Sequence, residues 1–195
     1  MAEPFVPDGF VVPQGLAGPG FRLEPLGPQH NEADRSAWTS SIGHIRTTPG
    51  FPAGGWPPVD GLSLVENLRD LERHADDYER RVGFTYTVLD DEDRVIGCVY
   101  IYPSRSDARV TEVKSWVSAN CAELDLPLHG AVTNWLATVW PFIMVRYRAT
   151  EKPGPMPAGE YLGRGASCGA AGRDPRGRGR DPRRVEGDEY RCRGL

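Results

Sequence analysis

Cysteine and histidine, the side chains that most often carry chemistry, form no motif in this chain. The four cysteines include no C-x-x-C pair, and no histidine stands at a zinc-ligand spacing from them. None of the histidines has a carboxylate or a nucleophile at a recognisable motif spacing. We therefore predict no metal site and interpret the four histidines as surface or packing residues, namely His30, His44, His74 and His129.

Two patterns near the C-terminus match functional motifs without the structural context that those motifs need. Residues 165–169 fit the G-x-S-x-G pattern of hydrolases, but that motif works only on a sharp turn from strand to helix, and neither element is predicted there. The arginine-rich run 173–184 offers phosphate contacts to a nucleic acid. Asp174 and Asp181 interrupt it, however, and no aromatic residues are interleaved for base stacking. We predict neither a hydrolase nor a nucleic-acid-binding protein.

The composition changes near residue 150 and suggests three regions. From Glu151 onward there are ten Gly and five Pro, and ten Lys and Arg outnumber seven Asp and Glu, whereas the preceding body is acidic. Such a segment cannot bury enough apolar surface to fold. We predict an extended arm over residues 1–20, one domain over 21–147 and a disordered Gly/Pro/Arg-rich tail over 148–195. Because the N-terminus has neither a basic segment nor a long apolar run, we expect a cytoplasmic protein without membrane association.

The first half of the domain predicts a strand and two helices. Residues 21–26 alternate apolar and polar side chains, as a half-buried strand does, and the apolar spacing over 38–45 marks one face of a first helix. Ser63 and Glu66 form a capping box at the start of a second helix, which ends before Gly83. The apolar stripe of the second helix is predicted to comprise Leu64, Leu68, Leu71, Ala75 and Tyr78.

The second half predicts a β-hairpin, a further strand and a crossover. Residues 84–88 and 95–102 are strongly β-prone and flank an acidic turn, and 108–117 form the next strand. Asp125 is the expected N-cap of a third helix, and 142–145 are a short strand joined in parallel through that helix. The predicted fold class is α/β, a mixed sheet with the order β-α-α-β-β-β-α-β.

This order of elements resembles that of the GCN5-related N-acetyltransferases (GNATs) over residues 21–147. Residues 21–26 are similar to the opening strand of that family, and Ile96-Gly97 resembles the Ile-Gly pair that its third strand usually carries. The resemblance implies an acyl-CoA N-acyltransferase-like fold that is short at its C-terminus. It also implies an N-acetyltransferase that moves an acetyl group from acetyl-CoA to an amine of a small-molecule or peptide acceptor. A catalytically silent module of the same fold, binding an acyl-CoA or a small molecule, remains the alternative.

The resemblance also implies site residues. In the family, backbone groups late in the fourth strand bind the pantetheine arm and the thioester, an acid earlier in that strand often serves as base, and the following helix N-terminus binds the pyrophosphate. By position, Glu112 would be the base. The residues implied in cofactor binding are Trp116, Val117 and Ser118 for the backbone contacts, and Asn120, Cys121 and Ala122 for the phosphate loop.

The phosphate loop departs from the family pattern. Glycines normally allow its N–H groups to approach the phosphates. Residues 120–125 contain no glycine, and Glu123 and Asp125 place two carboxylates where the phosphates should dock. We therefore expect weak, salt-dependent binding of acetyl-CoA.

Overall fold

A computed structural model describes residues 4–51 and 55–148, which build a six-stranded sheet. The strands pair antiparallel from the first to the fifth, and the fifth and sixth pair in parallel. They lie side by side in chain order as β1 (Leu16–Gly18), β2 (Phe21–Pro25), β3 (Phe84–Leu89), β4 (Val95–Pro103), β5 (Val110–Val117) and β6 (Met144–Tyr147). A parallel pair needs a crossover, which α4 (Asp125–Val139) supplies. The predicted hairpin and crossover are therefore confirmed.

Between β2 and β3 the chain forms a short 3-10 helix, Pro28–His30, and three α-helices, one α-helix more than predicted. They are α1 (Asn31–Thr39), α2 (Ile42–Thr47) and α3 (Leu64–Glu79). The single helix predicted over 38–45 is interrupted at two serines. The Ser40 hydroxyl donates to the Ala37 carbonyl (2.9 Å), and the Ser41 hydroxyl accepts from the Ala119 N–H (3.0 Å). Serine side chains that bond nearby backbone compete with helical hydrogen bonds, which accounts for the break.

The helix α3 begins as predicted, and its inner face includes most of the predicted stripe. The Ser63 hydroxyl accepts from the Glu66 N–H, and the Glu66 carboxylate accepts from the Ser63 N–H (2.8 Å), so the capping box is confirmed. Its buried residues are Asn67, Leu71 and His74, whereas Leu64 is 43% exposed. Of the rest of the predicted stripe, Leu68, Ala75 and Tyr78 are half-buried, and two polar residues share the inner face with them.

One face of the sheet packs on α4 and on the N-terminal segment. Val6 is buried, and the Arg81 guanidinium donates to the carbonyls of Pro7 (2.8 Å) and Phe10 (2.9 Å). Residues predicted as an extended arm therefore contribute to the core, and β1 lies within that same stretch. The buried residues of this core come from the sheet, from α4 and from the residue after α4, and include Phe84, Tyr86, Val88, Val113, Leu128, Val132, Trp135 and Trp140.

The opposite face packs on the helices α1 to α3. Its aromatic centre is Trp116 of β5, and the Trp56 ring lies 5.9 Å from the rings of both Trp116 and Trp38.

The predicted tail lies outside the described residues apart from Arg148, and so do the hydrolase-like pattern and the arginine-rich run.

Candidate functional site

The strands β5 and β6 part after a short parallel segment. Their pairing runs from Val110 with Met144 to Val113 with Tyr147, and the Arg148 N–H then donates to the Val113 carbonyl (2.9 Å). β5 continues to Val117 and stays paired with β4 on its other side. Within residues 4–51 and 55–148, no strand pairs with the β6 side of β5 beyond Val113. We call this gap, between the end of β5 and the end of β6, the notch.

The backbone of β5 alternates between β4 and the notch. The Ser118 N–H donates to the Ile96 carbonyl (2.7 Å), which sets the phase of the antiparallel ladder. By this alternation Trp116 bonds to β4, while Ser115 and Val117 direct their N–H and C=O groups toward the notch. Of the three residues predicted for backbone contacts, Val117 therefore presents its backbone there. The Trp116 side chain is fully buried, and its indole N–H donates to the Tyr100 hydroxyl (3.2 Å).

The predicted phosphate loop is helical. Asn120, Cys121 and Ala122 lie in a 3-10 segment, Ala119–Leu124, which is kinked at Cys121 (φ −123°, ψ 28°) and leads directly into α4. The Cys121 N–H donates to the Ser118 carbonyl (3.0 Å). The Ala119 N–H donates to the Ser41 hydroxyl and the Ser118 N–H to the Ile96 carbonyl, so three amides of this stretch have acceptors within the protein. Asn120 and Ala122 are exposed.

At the start of α4, Asp125 forms an ion pair in place of the predicted cap. Leu124 takes the N-cap position, and no side chain caps the helix there. The two carboxylate oxygens of Asp125 accept from the Arg148 guanidinium at 2.8 and 2.5 Å. The prediction that Asp125 caps the helix is wrong, because Leu124 holds the N-cap position and the Asp125 N–H donates to the Ala122 carbonyl. Its partner Arg148 had been assigned to the tail.

Further polar side chains surround this ion pair at the notch. The Ser115 hydroxyl lies 2.7 Å from the Tyr147 hydroxyl and accepts from Arg148 (2.9 Å). Burial raises the pKa of Tyr147 to about 12. The His129 ring packs on Tyr147 at 4.4 Å, and burial together with the Arg148 charge lowers the pKa of His129. No spacing of residues along the chain indicates this group, because the parting of two strands brings it together.

Glu112, the predicted base, lies on the face covered by α1 to α3. Its carboxylate accepts from the Ser104 hydroxyl (2.7 Å) and pairs with Arg146 (3.4 Å), and its side chain is 30% exposed. Glu112 precedes Ser115 by three residues, or about 10 Å along the strand. The structure thus places Glu112 near the notch but not in contact with the residues that line it.

A buried polar network, unsignalled by sequence spacing, lies between α3 and the sheet. His74 is 7% exposed, and its Nδ1 lies 2.6 Å from the Tyr102 hydroxyl and 3.0 Å from the Thr85 hydroxyl. The Tyr102 hydroxyl donates to the Asp77 carboxylate (3.0 Å), and burial raises the pKa of Tyr102. His74 is therefore a hydrogen-bonded interior residue.

The neighbouring Asp34 is a buried carboxylate. It accepts from the Asn67 amide (3.1 Å), whose oxygen in turn accepts from the Trp38 indole N–H (2.9 Å). Burial raises the pKa of Asp34 from its ordinary 3.8 to about 6, and the like charge of Asp70 acts in the same direction.

A surface groove of about 380 Å³ against α3 contains none of the predicted site residues. It is lined by Trp56, Leu62, Glu66, Arg69, Asp70 and Arg73.

Comparison with solved structures identifies the architecture. The microcin C7 self-immunity acetyltransferase MccE, solved with acetyl-CoA and AMP, matches with a TM-score of 0.51 and 12% identity over 68% of this chain and 73% of that one. A ribosomal-protein-S5-alanine acetyltransferase from Vibrio fischeri matches with a TM-score of 0.49 and 13% identity, over 63% of this chain and 66% of that one. A GCN5-related N-acetyltransferase from Brucella melitensis has a TM-score of 0.46 and 18% identity, over 65% and 58%.

The topology and the MccE match together show that the domain has the acyl-CoA N-acyltransferase fold of the GNATs. This chain spans between 58% and 73% of the length of the three matched chains. No protein-family model matches it, and no curated protein matches its sequence. None of the described helices combines the length and the apolar character that a membrane span requires.

Proposed function

We propose that this protein is an N-acetyltransferase that transfers an acetyl group from acetyl-CoA to an amine of a small-molecule or peptide acceptor. The observation that carries the proposal is the edge of β5, where Ser115 and Val117 direct backbone donors and acceptors into the notch. The pantetheine arm of coenzyme A contains two amides, and an extended amide chain can pair with such an edge as an added strand does. MccE, which shares the fold, was solved with acetyl-CoA, and this supports the choice of donor.

In this proposal Glu112 is the general base. An amine with a pKa near 10 is almost wholly protonated at neutral pH, so a proton must leave before the nitrogen attacks. Glu112 takes that proton, directly or through a water molecule, and passes it to solvent. The nitrogen then bonds to the thioester carbonyl carbon as the carbon–sulfur bond breaks. The second amine proton goes to the departing thiolate, which leaves an acetamide and the free thiol.

The surroundings of Glu112 suit that role. Ser104 and Arg146 both contact Oε1 of its carboxylate, at 2.7 and 3.4 Å, so the carboxylate is held in position before an amine arrives. The distance of about 10 Å along β5 to Ser115 leaves room for the acceptor amine and one water between them. A backbone N–H at the β5 edge is a suitable donor to the oxyanion that develops on the thioester.

A silent module of the same fold is the second candidate, and one observation favours it. The Arg148 guanidinium contacts Ser115 at the notch, and the amides of Ser118, Ala119 and Cys121 are engaged within the protein. Fewer donors therefore meet a diphosphate here than a glycine-rich loop would offer. Such a module would bind an acyl-CoA or a small molecule without transferring an acyl group.

Calorimetry with acetyl-CoA, followed by turnover on a panel of amines, tests the proposal. We expect Glu112→Gln to lower kcat by about 10²-fold while acetyl-CoA binding stays nearly unchanged, because only the base is removed. Glu72→Gln makes the same charge change on the exposed side of α3 and should leave kcat unaltered. Equal rates for wild type and Glu112→Gln across pH would reject the base. Binding without transfer to any amine would favour the silent module.

A further inference from the structure

The Arg148 guanidinium spans the notch from the end of β6 to the start of α4. Its side chain is only 8% exposed. It donates to both carboxylate oxygens of Asp125, at 2.8 and 2.5 Å, and to the Ser115 hydroxyl at 2.9 and 3.3 Å. Arg148 therefore joins the open strand edge to the helix start where the family places its pyrophosphate.

The backbone around Arg148 fixes this geometry. Its N–H is bonded to Val113, and its φ of 54° turns the chain out of the β6 direction. On the opposite side lies Gly50, where an added Cβ would stand 3.4 Å from the Arg148 Cα. Gly50 itself has a φ of +96°, which other residues rarely adopt, so this close approach depends on glycine. The side chain is thereby directed across the notch.

The charges at this end of α4 are unfavourable to an anion unless Arg148 takes part. Glu123 is exposed, and Asp125 carries a second carboxylate. Burial and the neighbouring Arg148 lower the pKa of His129, so that ring adds no positive charge at neutral pH. While Arg148 is bound to Asp125, its charge is neutralised. A diphosphate that gained the guanidinium would have this one cation in direct contact, which would oppose the repulsion by Glu123 and Asp125.

We propose that Arg148 is the diphosphate-binding residue of the notch, and that acetyl-CoA binds by taking the Arg148 guanidinium from Asp125; this rests on the proposed use of acetyl-CoA. A guanidinium presents the same planar pair of donors to a carboxylate and to a phosphate, so the exchange needs only a small movement of the side chain. Asp125 acts as an internal competitor that holds Arg148 in place before the ligand arrives. The exchange also offers a way to hold a diphosphate without a glycine-rich loop.

Calorimetry on the full chain with acetyl-CoA and with S-acetylpantetheine, which lacks the diphosphate, tests this exchange. We expect Asp125→Asn to tighten acetyl-CoA binding at least tenfold and Arg148→Gln to weaken it at least tenfold. Neither variant should change S-acetylpantetheine binding by more than about twofold, because that ligand has no diphosphate. In the double variant the gain from Asp125→Asn should disappear. The exposed pair Asp107 and Arg109 provides matched controls, Asp107→Asn and Arg109→Gln, which should bind acetyl-CoA like wild type.

The outcomes separate this inference from the proposed function. If wild type binds acetyl-CoA and Arg148→Gln binds it equally or more tightly, Arg148 is no diphosphate ligand, and the acetyl-CoA proposal still stands. If Arg148→Gln lost the same affinity for acetyl-CoA and for S-acetylpantetheine, Arg148 would only support the fold. In that case Arg148→Lys, which keeps the charge, would not restore acetyl-CoA binding over S-acetylpantetheine binding. Absence of acetyl-CoA binding by wild type and all variants would overturn both.

Discussion

Asp34 is the carboxylate whose burial should influence stability most, and Asp34→Asn isolates that effect. The carboxylate is 4% exposed and accepts from Asn67, and its pKa is raised to about 6 mainly because burial disfavours its charged form. Asparagine has nearly the same shape and keeps an oxygen that can accept from Asn67. It carries no charge at any pH. The substitution therefore removes the cost of ionising this site and little else.

The magnitude and the pH window follow from linkage. The pKa rises from 3.8 to about 6, and at about 1.4 kcal/mol per pH unit this corresponds to about 3 kcal/mol. Below about pH 3 the carboxyl is protonated in both the folded and the unfolded chain, so the wild type incurs no cost, and at pH 4 the cost is still under about 1 kcal/mol. As pH rises from about 4 to 6 the folded state holds the extra proton, and wild-type stability falls. Above pH 6 the full cost applies.

Urea denaturation at pH 4 and pH 7.5, followed by Trp fluorescence, measures this difference. We expect Asp34→Asn to match wild type within about 1 kcal/mol at pH 4 and to be more stable by up to about 3 kcal/mol at pH 7.5. The groups that also face Asp34 are Asp70, His74 and His30, and all three are present in both proteins. Asp91→Asn, in an exposed turn, is the control and should show no pH-dependent gain. A gain of equal size at both pH values, or a loss at pH 7.5, would refute the linkage argument.

Two further substitutions test the packing. Gly97→Ala should lower the free energy of unfolding by about 3 kcal/mol, because a Cβ there would collide with the Trp116 carbonyl. The control Gly43→Ala, in α2, meets nothing within 4 Å and should raise that free energy by up to about 1 kcal/mol. Equal effects of the two variants in urea titration would contradict the close approach of β4 and β5 at Gly97. Arg81→Ala should cost about 1–2 kcal/mol and increase hydrogen exchange in residues 4–14, because two bonds to the N-terminal segment are lost. The control Arg80→Ala removes an exposed ion pair and should cost under about 0.5 kcal/mol. If residues 4–14 stayed protected from hydrogen exchange in Arg81→Ala, apolar packing alone would hold them.

The strands and helices that follow local rules were predictable from sequence. The β3–β4 hairpin shows period-two alternation around an acidic turn, and α3 starts at a capping box, both of which depend on neighbouring residues. The break in the first helix and the strand β1 were missed, because contacts between residues far apart in the chain determine them. Ser41 interrupts the first helix partly because its hydroxyl receives the Ala119 N–H from beyond β5. β1 is only three residues long and is defined by its pairing with β2.

The strand that carries Glu112 and Val117 was predictable from the sequence, but the electrostatics around these residues were not. The resemblance located Val117 and Glu112 on the strand next to the crossover, because that order of elements sets the strand edge. Whether Glu112 is the base stays a prediction. The ion pair of Arg148 with Asp125 could not be read from sequence, since it joins residues 23 apart in the chain through the parting of two strands. His74 shows the same limit, because its partners lie on two different strands.

The order of the strands has a consequence for how the chain folds. β3, β4 and β5 are neighbours both in the sheet and along the chain, with short connections, so this meander can form from local contacts. β2 must close a segment that carries three helices before it pairs with β3, and β6 must wait for the α4 crossover. The entropy of such closures grows slowly with segment length but has to be overcome before the contacts form. The nucleus should therefore be the β3–β5 meander, and the notch, which needs β6 in place, should be among the last features to take shape.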